Sequence, residues 1–225
     1  MKKVSILSVF ALIGLMSMTK PGPTSFKVDA AKSTFKWSGK KAVGAPHWGY
    51  VKFTDGTLAI EKGVLQGGSF NVDLNTIDCQ DTPGEWGQKL VGHLKADDFF
   101  GVEKFPTSTL VIKSTTAKGN NQYDVKADLT IKGVTNEVSF PATVTLVGNT
   151  ATAVASFTVD RTKYGIKYGS GSFFDNLGDK AIDNNFTVDV NLVAVTDAAV
   201  VAPTATKKVK AKASKKKTQV EKATK

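Results

Sequence analysis

The sequence has very few of the residues that usually carry redox or metal chemistry. Its 225 residues include one cysteine, Cys79, and two histidines, His47 and His93. A lone cysteine excludes both an intramolecular disulfide and a Cys-x-x-Cys redox pair. Zinc sites need several Cys, His or acidic ligands at characteristic spacings, and the sequence displays no such spacing. We therefore expect no metal and no cofactor.

The common catalytic motifs are missing as well. The sequence has no Gly-x-Ser-x-Gly motif, no phosphate-binding glycine-rich loop and no Rossmann fingerprint. The adjacent Asp97 and Asp98 do not indicate an acid–base pair, because neighbouring residues rarely present both carboxylates to one substrate. The sequence therefore predicts a protein that is not an enzyme.

The net charge of +10 comes from the two ends of the chain. Three lysines precede residue 21, and residues 197–225 hold nine lysines against two acidic residues, which leaves residues 21–196 neutral. The basic start and apolar run of residues 1–19 are typical of a secretory signal peptide, with an uncleaved anchor as the alternative. We expect a periplasmic or secreted protein with one folded domain over residues 24–196.

Residues 197–225 form a lysine-rich tail that we expect to be disordered, because it has too little apolar surface to offset its ordering entropy. The tail could bind an anionic membrane or envelope surface, or remain solvated without a dedicated partner. Export argues against nucleic acid as a partner. Residues 207–225 also contain no aromatic or arginine side chain on which bases could stack.

Between the two ends, apolar and polar residues alternate with the period of half-buried strands. The clearest runs are Tyr123–Ile131 and Val138–Leu146, which Lys132–Asn136 should join as a hairpin. Pro141 indicates an edge or a bulge. The same alternation recurs in six further runs: Phe35–Trp37, Val51–Phe53, Leu58–Ile60, Phe70–Leu74, Ala151–Val159 and Phe186–Ala194.

About eight strands joined by turns rich in Gly, Asn and Asp predict an all-β fold, and no helical pattern separates them as a parallel sheet would require. Predicted turns include Thr54–Gly56, Lys118–Asn121 and Gly148–Asn149. Strands of this number and length favour an antiparallel barrel, with a two-sheet sandwich as the alternative.

One segment has helical spacing instead. Trp86, Leu90 and Leu94 predict a short helical insertion over Glu85–Leu94. Asp97 is a candidate cap for a second short turn. The insertion is either a lid over a barrel mouth or ordinary packing.

Three segments together resemble the polyisoprenoid-binding YceI-like family. They are Leu90–Pro106 with its His-Leu-Lys and Asp-Phe-Phe steps, Asp128–Thr135, and Asp160–Gly165. Ala127 stands where glycine is more usual in the family. The resemblance implies a lipocalin-like antiparallel β-barrel in the bacterial periplasm. It also implies a ligand that is a polyisoprenoid, an isoprenoid quinone or a similar long-chain amphiphile.

If the barrel is hollow, aromatic residues should line its pocket, since ligand pockets are mainly apolar with few polar groups. The small side chains of Ala151, Ala153 and Ala155 would leave room on one inner face. His93 and Arg161 could meet a polar head group, or they could satisfy a backbone carbonyl and a strand carboxylate. The candidate ligand-binding residues are Trp37, Phe53, Phe70, Trp86, His93, Phe99, Phe100, Phe140, Ala153, Phe157 and Arg161.

Two other functions stay open at this point. One is a non-catalytic envelope stress or interaction module with a filled core and no dedicated lipid. The other is an enzyme acting on an isoprenoid or acyl substrate, which would need polar groups converging around His93. A homodimer is also open, through an exposed strand edge near Pro141.

Overall fold

The computed structural model describes residues 22–197. The predicted signal peptide, and the predicted tail beyond Asp197, lie outside the described residues. The helix is α1 (Glu85–Lys95), and short 3₁₀ turns lie at Leu74–Thr76, Arg161–Tyr164 and Gly178–Lys180. The strands are β1 (Thr24–Val28), β2 (Thr34–Lys41), β3 (His47–Glu61), β4 (Val64–Asp73), β5 (Thr107–Gly119), β6 (Gln122–Ile131), β7 (Val134–Val147), β8 (Thr150–Asp160) and β9 (Ile182–Val195).

Eight of these strands close into an antiparallel barrel. They follow the order β3-β2-β9-β8-β7-β6-β5-β4, and pairing between β4 and β3 completes the ring. The remaining strand, β1, pairs with the second half of β3 and with the end of β9, and its Phe26 is fully buried there. The predicted antiparallel barrel of about eight strands with a short helical insertion is confirmed, and the sandwich alternative is wrong.

The predicted turn at Thr54–Gly56 is wrong, because β3 runs unbroken through it. A β-bulge near Thr54 shifts the register between β3 and β4. In a regular strand, residues an odd number of positions apart face opposite sides of the sheet. The extra residue of the bulge offsets this, so the side chains of Phe53 and Leu58, five positions apart, are both buried inside the barrel. A Cβ on Gly56 would lie 2.9 Å from the Phe70 ring, so the glycine allows a close approach between strands.

The hairpin of β6 and β7 is confirmed, with a turn shorter than predicted. Only Lys132 and Gly133 connect the strands, and their φ angles of 52° and 74° suit the tight turn of a two-residue hairpin. Pro141 pairs with Asp124 without a register shift. The ladder between β7 and β8 begins at the next residue, Ala142, so Pro141 occupies an edge position and no bulge.

The predicted helix is confirmed as α1, which lies at the end of the barrel where β2 ends and β3 begins. It buries Leu94, whereas Trp86 is 74% exposed. Trp86 and Leu94 are eight positions apart, so their side chains point in directions that differ by about 80° around the helix axis. One of them can therefore be buried while the other is exposed. The second short turn is present at residues 97–100, but Asp97 does not cap it, because its carboxylate pairs with Lys104 instead.

Candidate ligand-binding cavity

The barrel encloses a cavity of about 860 Å³ to which all eight of its strands contribute side chains. This volume is within the range of small-molecule sites. Leu58, Leu65 and Leu192 line the end that β1 closes, and α1 lies at the opposite end, the mouth. Protein interiors normally contain few voids, because wall atoms facing a void lose their packing contacts. An apolar cavity of this size therefore favours an apolar occupant.

All eleven residues predicted to bind a ligand line this cavity. Six lie on barrel strands: Trp37, Phe53, Phe70, Phe140, Ala153 and Phe157. The other five lie around the mouth: Trp86, His93, Phe99, Phe100 and Arg161. The geometry places them around one space, and their contact with a ligand stays a prediction.

Two aromatic rings close the wall where the backbone ladder stops. The pairing of β7 with β8 ends at Ala142 opposite Ala155. Two residues further, the rings of Phe140 and Phe157 stack with centroids 4.5 Å apart and planes within 16°. The stacked pair therefore continues the wall of the cavity beyond the last hydrogen-bonded residues of the two strands.

The inner face of β8 carries small side chains as predicted. Ala153 and Ala155 line the cavity, while Ala151 is fully buried in the packed core. Ala153 is level with Val144 on β7 and Leu192 on β9, and both of those side chains also line the cavity. The β8 wall therefore leaves open space midway along the barrel.

Arg161 is 2% exposed and is held by backbone carbonyls rather than by a carboxylate. Its guanidinium donates from Nε to Asp183 O at 2.9 Å, and from its two terminal nitrogens to Ile166 O at 2.9 Å and Ile182 O at 3.0 Å. The predicted ion pair with a strand carboxylate is absent among residues 22–197. Burial lowers the pKa of Arg161, and the nearby Asp160 and Asp183 partly offset this.

The hydrogen bonds leave two of the five guanidinium N–H groups without a partner in the described part of the chain. The guanidinium also lies 5.6 Å from the centroid of the Phe99 ring. A buried cation with spare donors at the mouth of an apolar cavity suits a polar or anionic head group.

His93 projects from α1 between two aromatic rings, Phe99 and Tyr168, whose centroids lie 5.6 and 4.3 Å from that of the imidazole. Its Nε2 atom is buried and makes no hydrogen bond within residues 22–197, and Asp98 Oδ2 is 3.7 Å away. The expected bond to a backbone carbonyl is therefore not formed by this atom.

The Tyr164 hydroxyl has no hydrogen-bond partner within residues 22–197 either, and burial raises the pKa of that group to about 12. An unpartnered hydroxyl in the turn that also carries Arg161 adds a polar group to this end of the barrel.

Four other aromatic residues lie away from the cavity. Phe173 and Phe174 are half exposed in the loop between β8 and β9. Phe105 lies against Gly133 of the β6–β7 turn, and Trp48 lies beneath Lys36 on the outside of the barrel. Tyr168 was not singled out in the sequence but lines the mouth beside His93. No periodic signal marks it, because it lies in an irregular loop.

A polar cluster next to the mouth was also missed. His47, Cys79 and Asp81 come together so that their nitrogen, sulfur and oxygen atoms lie within 4.8 Å of one another. Burial raises the pKa of the Cys79 thiol. Burial on its own would also raise the pKa of the Asp81 carboxyl. Hydrogen bonds from the Trp48 N–H, His47 and other neighbours nevertheless hold the pKa of its carboxyl well below the usual range.

No helix in residues 22–197 combines the length and the apolar character needed to cross a membrane.

Comparison with known proteins identifies similar sequences. The model of the YceI-like domain matches residues 26–194. A UPF0312 protein of Shewanella denitrificans is 31% identical over 88 residues, which is 39% of this chain and 44% of that protein. A UPF0312 protein of Staphylococcus aureus is 39% identical over 83 residues, covering 34% of this chain and 46% of that protein. The chain thus spans about half the length of the curated relatives it matches.

Solved structures share the fold at low sequence identity. BcnA of Burkholderia cenocepacia gives a TM-score of 0.63 at 24% identity, over 75% of this chain and 99% of BcnA. A polyisoprenoid binding domain of Saccharophagus degradans, implicated in plant cell wall breakdown, gives 0.55 at 14% identity, over 76% of this chain and 98% of that domain. A YCEI protein of Campylobacter jejuni gives 0.50 at 15% identity, over 88% of this chain and all of that protein.

Proposed function

Because the chain belongs to the YceI-like family, we propose that it is a non-catalytic binding protein for a long-chain lipid. The ligand is a polyisoprenoid, an isoprenoid quinone or a similar amphiphile. The observation that carries the proposal is the apolar cavity of about 860 Å³ inside the closed barrel. The structural likeness to the polyisoprenoid binding domain of Saccharophagus degradans supports this ligand class.

Burial of the apolar chain is sufficient to hold such a ligand. Each methylene transferred from water contributes about 0.8 kcal/mol. A chain of sixteen carbons therefore contributes roughly 12 kcal/mol before the cost of association is subtracted. No covalent chemistry is needed, and Phe53, Leu58 and Val125 are among the wall residues that would exclude water from the chain.

The polar groups of the mouth define how the lipid is oriented. The apolar tail extends toward Leu65 and Leu192, at the end that β1 closes. The head group stays near α1, where Arg161 has spare N–H donors and the His93 Nε2 atom lacks a partner. This arrangement pairs each part of an amphiphile with a matching part of the cavity.

The test is to purify the protein from its source cells, extract it with organic solvent and analyse the extract by mass spectrometry. We expect about one long-chain isoprenoid or related lipid per protein molecule, because the barrel holds one continuous cavity. Extracts that hold no lipid, from a barrel that also fails to bind added isoprenoids, would contradict the proposal.

We also propose that residues 1–19 direct export and that the mature protein is periplasmic or secreted. The basic start and short apolar run support this. Determining the N-terminus of the protein from fractionated cells tests it: cleavage after the apolar run is expected, and an intact N-terminus in the cytoplasmic fraction would contradict it.

Deleting residues 204–225 should weaken binding to anionic vesicles by at least about tenfold, because each basic residue near such a surface adds about 1 kcal/mol. Co-sedimentation with phosphatidylglycerol vesicles measures the difference, and neutral phosphatidylcholine vesicles are the control. The difference should shrink as salt is added. Equal sedimentation of the full and shortened chains would show that residues 204–225 do not bind an anionic membrane surface.

A further inference from the structure

The loop between the Leu74–Thr76 turn and α1 is docked on the start of β3. Asp78 N donates to Tyr50 O at 3.1 Å, and Gln80 N donates to Trp48 O at 2.8 Å. A Cβ on Gly49 would lie only 2.0 Å from Asp78 O, so the glycine allows the loop to lie directly on the strand. This docking brings Cys79 and Asp81 beside His47, the first residue of β3.

Three atoms of different chemistry converge at this point. His47 Nδ1 lies 2.7 Å from Asp81 Oδ2, and Cys79 Sγ lies 3.4 Å from Asp81 Oδ1. All three side chains are within 4.8 Å of one another through their ligating atoms. Asp81 is also fixed by Trp48 N at 2.8 Å and by the Thr82 hydroxyl at 2.9 Å. The carboxylate is therefore held in place from two sides, while the thiol and imidazole lie next to it.

We propose that His47, Cys79 and Asp81 bind one thiophilic divalent cation such as Zn²⁺, with water in the fourth position. A tetrahedral zinc ion has ligands at about 2.0–2.3 Å, so its ligands lie roughly 3.2–3.8 Å from one another. The sulfur–oxygen separation is already in this range. The imidazole contacts the other carboxylate oxygen, Oδ2, at 2.7 Å, so binding requires small rotations of the Asp81 and His47 side chains that turn one oxygen toward the ion and open this contact by about half an ångström.

Binding changes protonation in a defined way. The Cys79 thiol loses its proton to solvent as the sulfur–metal bond forms, because the thiolate is the ligand. The imidazole binds through Nδ1 as the neutral tautomer with its proton on Nε2. Asp81 already carries its negative charge at neutral pH, so the three ligands leave the site with no net charge.

The position of the site gives the cation a structural effect. His47 and Thr82 both line the mouth of the cavity, and Thr82 is followed two residues later by Gly84 at the start of α1. A cation bridging β3 to this loop would fasten the segment from which α1 extends over the mouth. The proposal is independent of which lipid the barrel binds.

Cobalt is the probe that tests the site, because Co²⁺ reports a thiolate ligand and a tetrahedral geometry through its absorption spectrum. The metal-free full chain is titrated with Co²⁺ and then with Zn²⁺ to displace it. We expect a thiolate-to-cobalt charge-transfer band at one ion per chain, and its loss on adding Zn²⁺. The Cys79→Ser variant should lose the band and bind Zn²⁺ more than about a hundredfold more weakly, since even outer-shell partners contribute up to this much.

His93→Gln is the matched control, because it removes the other histidine of the chain and leaves the cluster intact. Thermal unfolding shows whether each variant is folded, and protection of Cys79 from a thiol reagent by Zn²⁺ gives a second measurement on the unaltered protein. A wild-type chain without the charge-transfer band or the protection would overturn the site. Equal zinc affinity in wild type and Cys79→Ser would do the same, leaving the cluster as a hydrogen-bond network only.

Discussion

The Ala153→Trp variant is expected to lose its long-chain lipid while the barrel stays folded. Ala153 faces the cavity from the middle of β8, level with Val144 and Leu192. An indole at this position occupies space that is open in the wild-type protein, so it avoids the 1–3 kcal/mol that overpacking a filled core usually costs. If the indole excludes about four methylenes, the lipid loses roughly 3 kcal/mol, a more than hundredfold weaker affinity.

The measurement is the amount of lipid that co-purifies with the variant, together with its affinity for an added isoprenoid. The adjacent Val154 supplies the control: its side chain is 53% exposed on the outer face of the same strand. Val154→Trp adds the same indole outside the barrel and should retain the lipid at the wild-type level. Equal lipid retention in both variants, each shown to be folded, would mean that the β8 wall does not contact the ligand.

The strands that alternation predicted are those whose inward-facing side chains are apolar at every second position and are buried or half-buried. Tyr123–Ile131 is the clearest case, because every second side chain enters the barrel. β5 was missed because its second half is largely exposed and its residues show no alternation to detect. β1 was missed because it is five residues long and buries only Phe26. β3 was divided in two because its bulge reverses the alternation near Thr54.

The site was predicted less completely, for a different physical reason. Aromatic composition indicates that a pocket is possible, but strand register and loop docking decide which rings face it. Trp37 faces inward and Trp48 outward, and only the pairing of β2 with β3 distinguishes them. The cluster of His47 with Cys79 and Asp81 joins residues about thirty positions apart. Their contact depends on the loop that lies across Gly49, which no local spacing in the sequence reveals.

Replacing Arg161 by methionine is the second change with a large expected effect, here on stability. Methionine preserves much of the side-chain volume but cannot donate to the carbonyls of Ile166, Ile182 and Asp183. A buried acceptor left without its partner costs about 1–3 kcal/mol, and a network of three is not fully additive. We expect a loss of roughly 3 kcal/mol in the free energy of unfolding, which lowers Tm by about 6–12 °C in a domain of this size.

Denaturant unfolding and calorimetry of the full chain measure this loss. Lys163→Met is the control, because Lys163 lies exposed in the same short turn and its side chain makes no hydrogen bond within residues 22–197. That variant should unfold within about 0.5 kcal/mol of wild type, as surface substitutions usually do. Arg161→Lys should fall between the two, since an ammonium keeps the charge but cannot reach three divergent carbonyls as a planar guanidinium does. If Arg161→Met is as stable as the Lys163 control, the guanidinium does not hold the loop between β8 and β9 on the barrel.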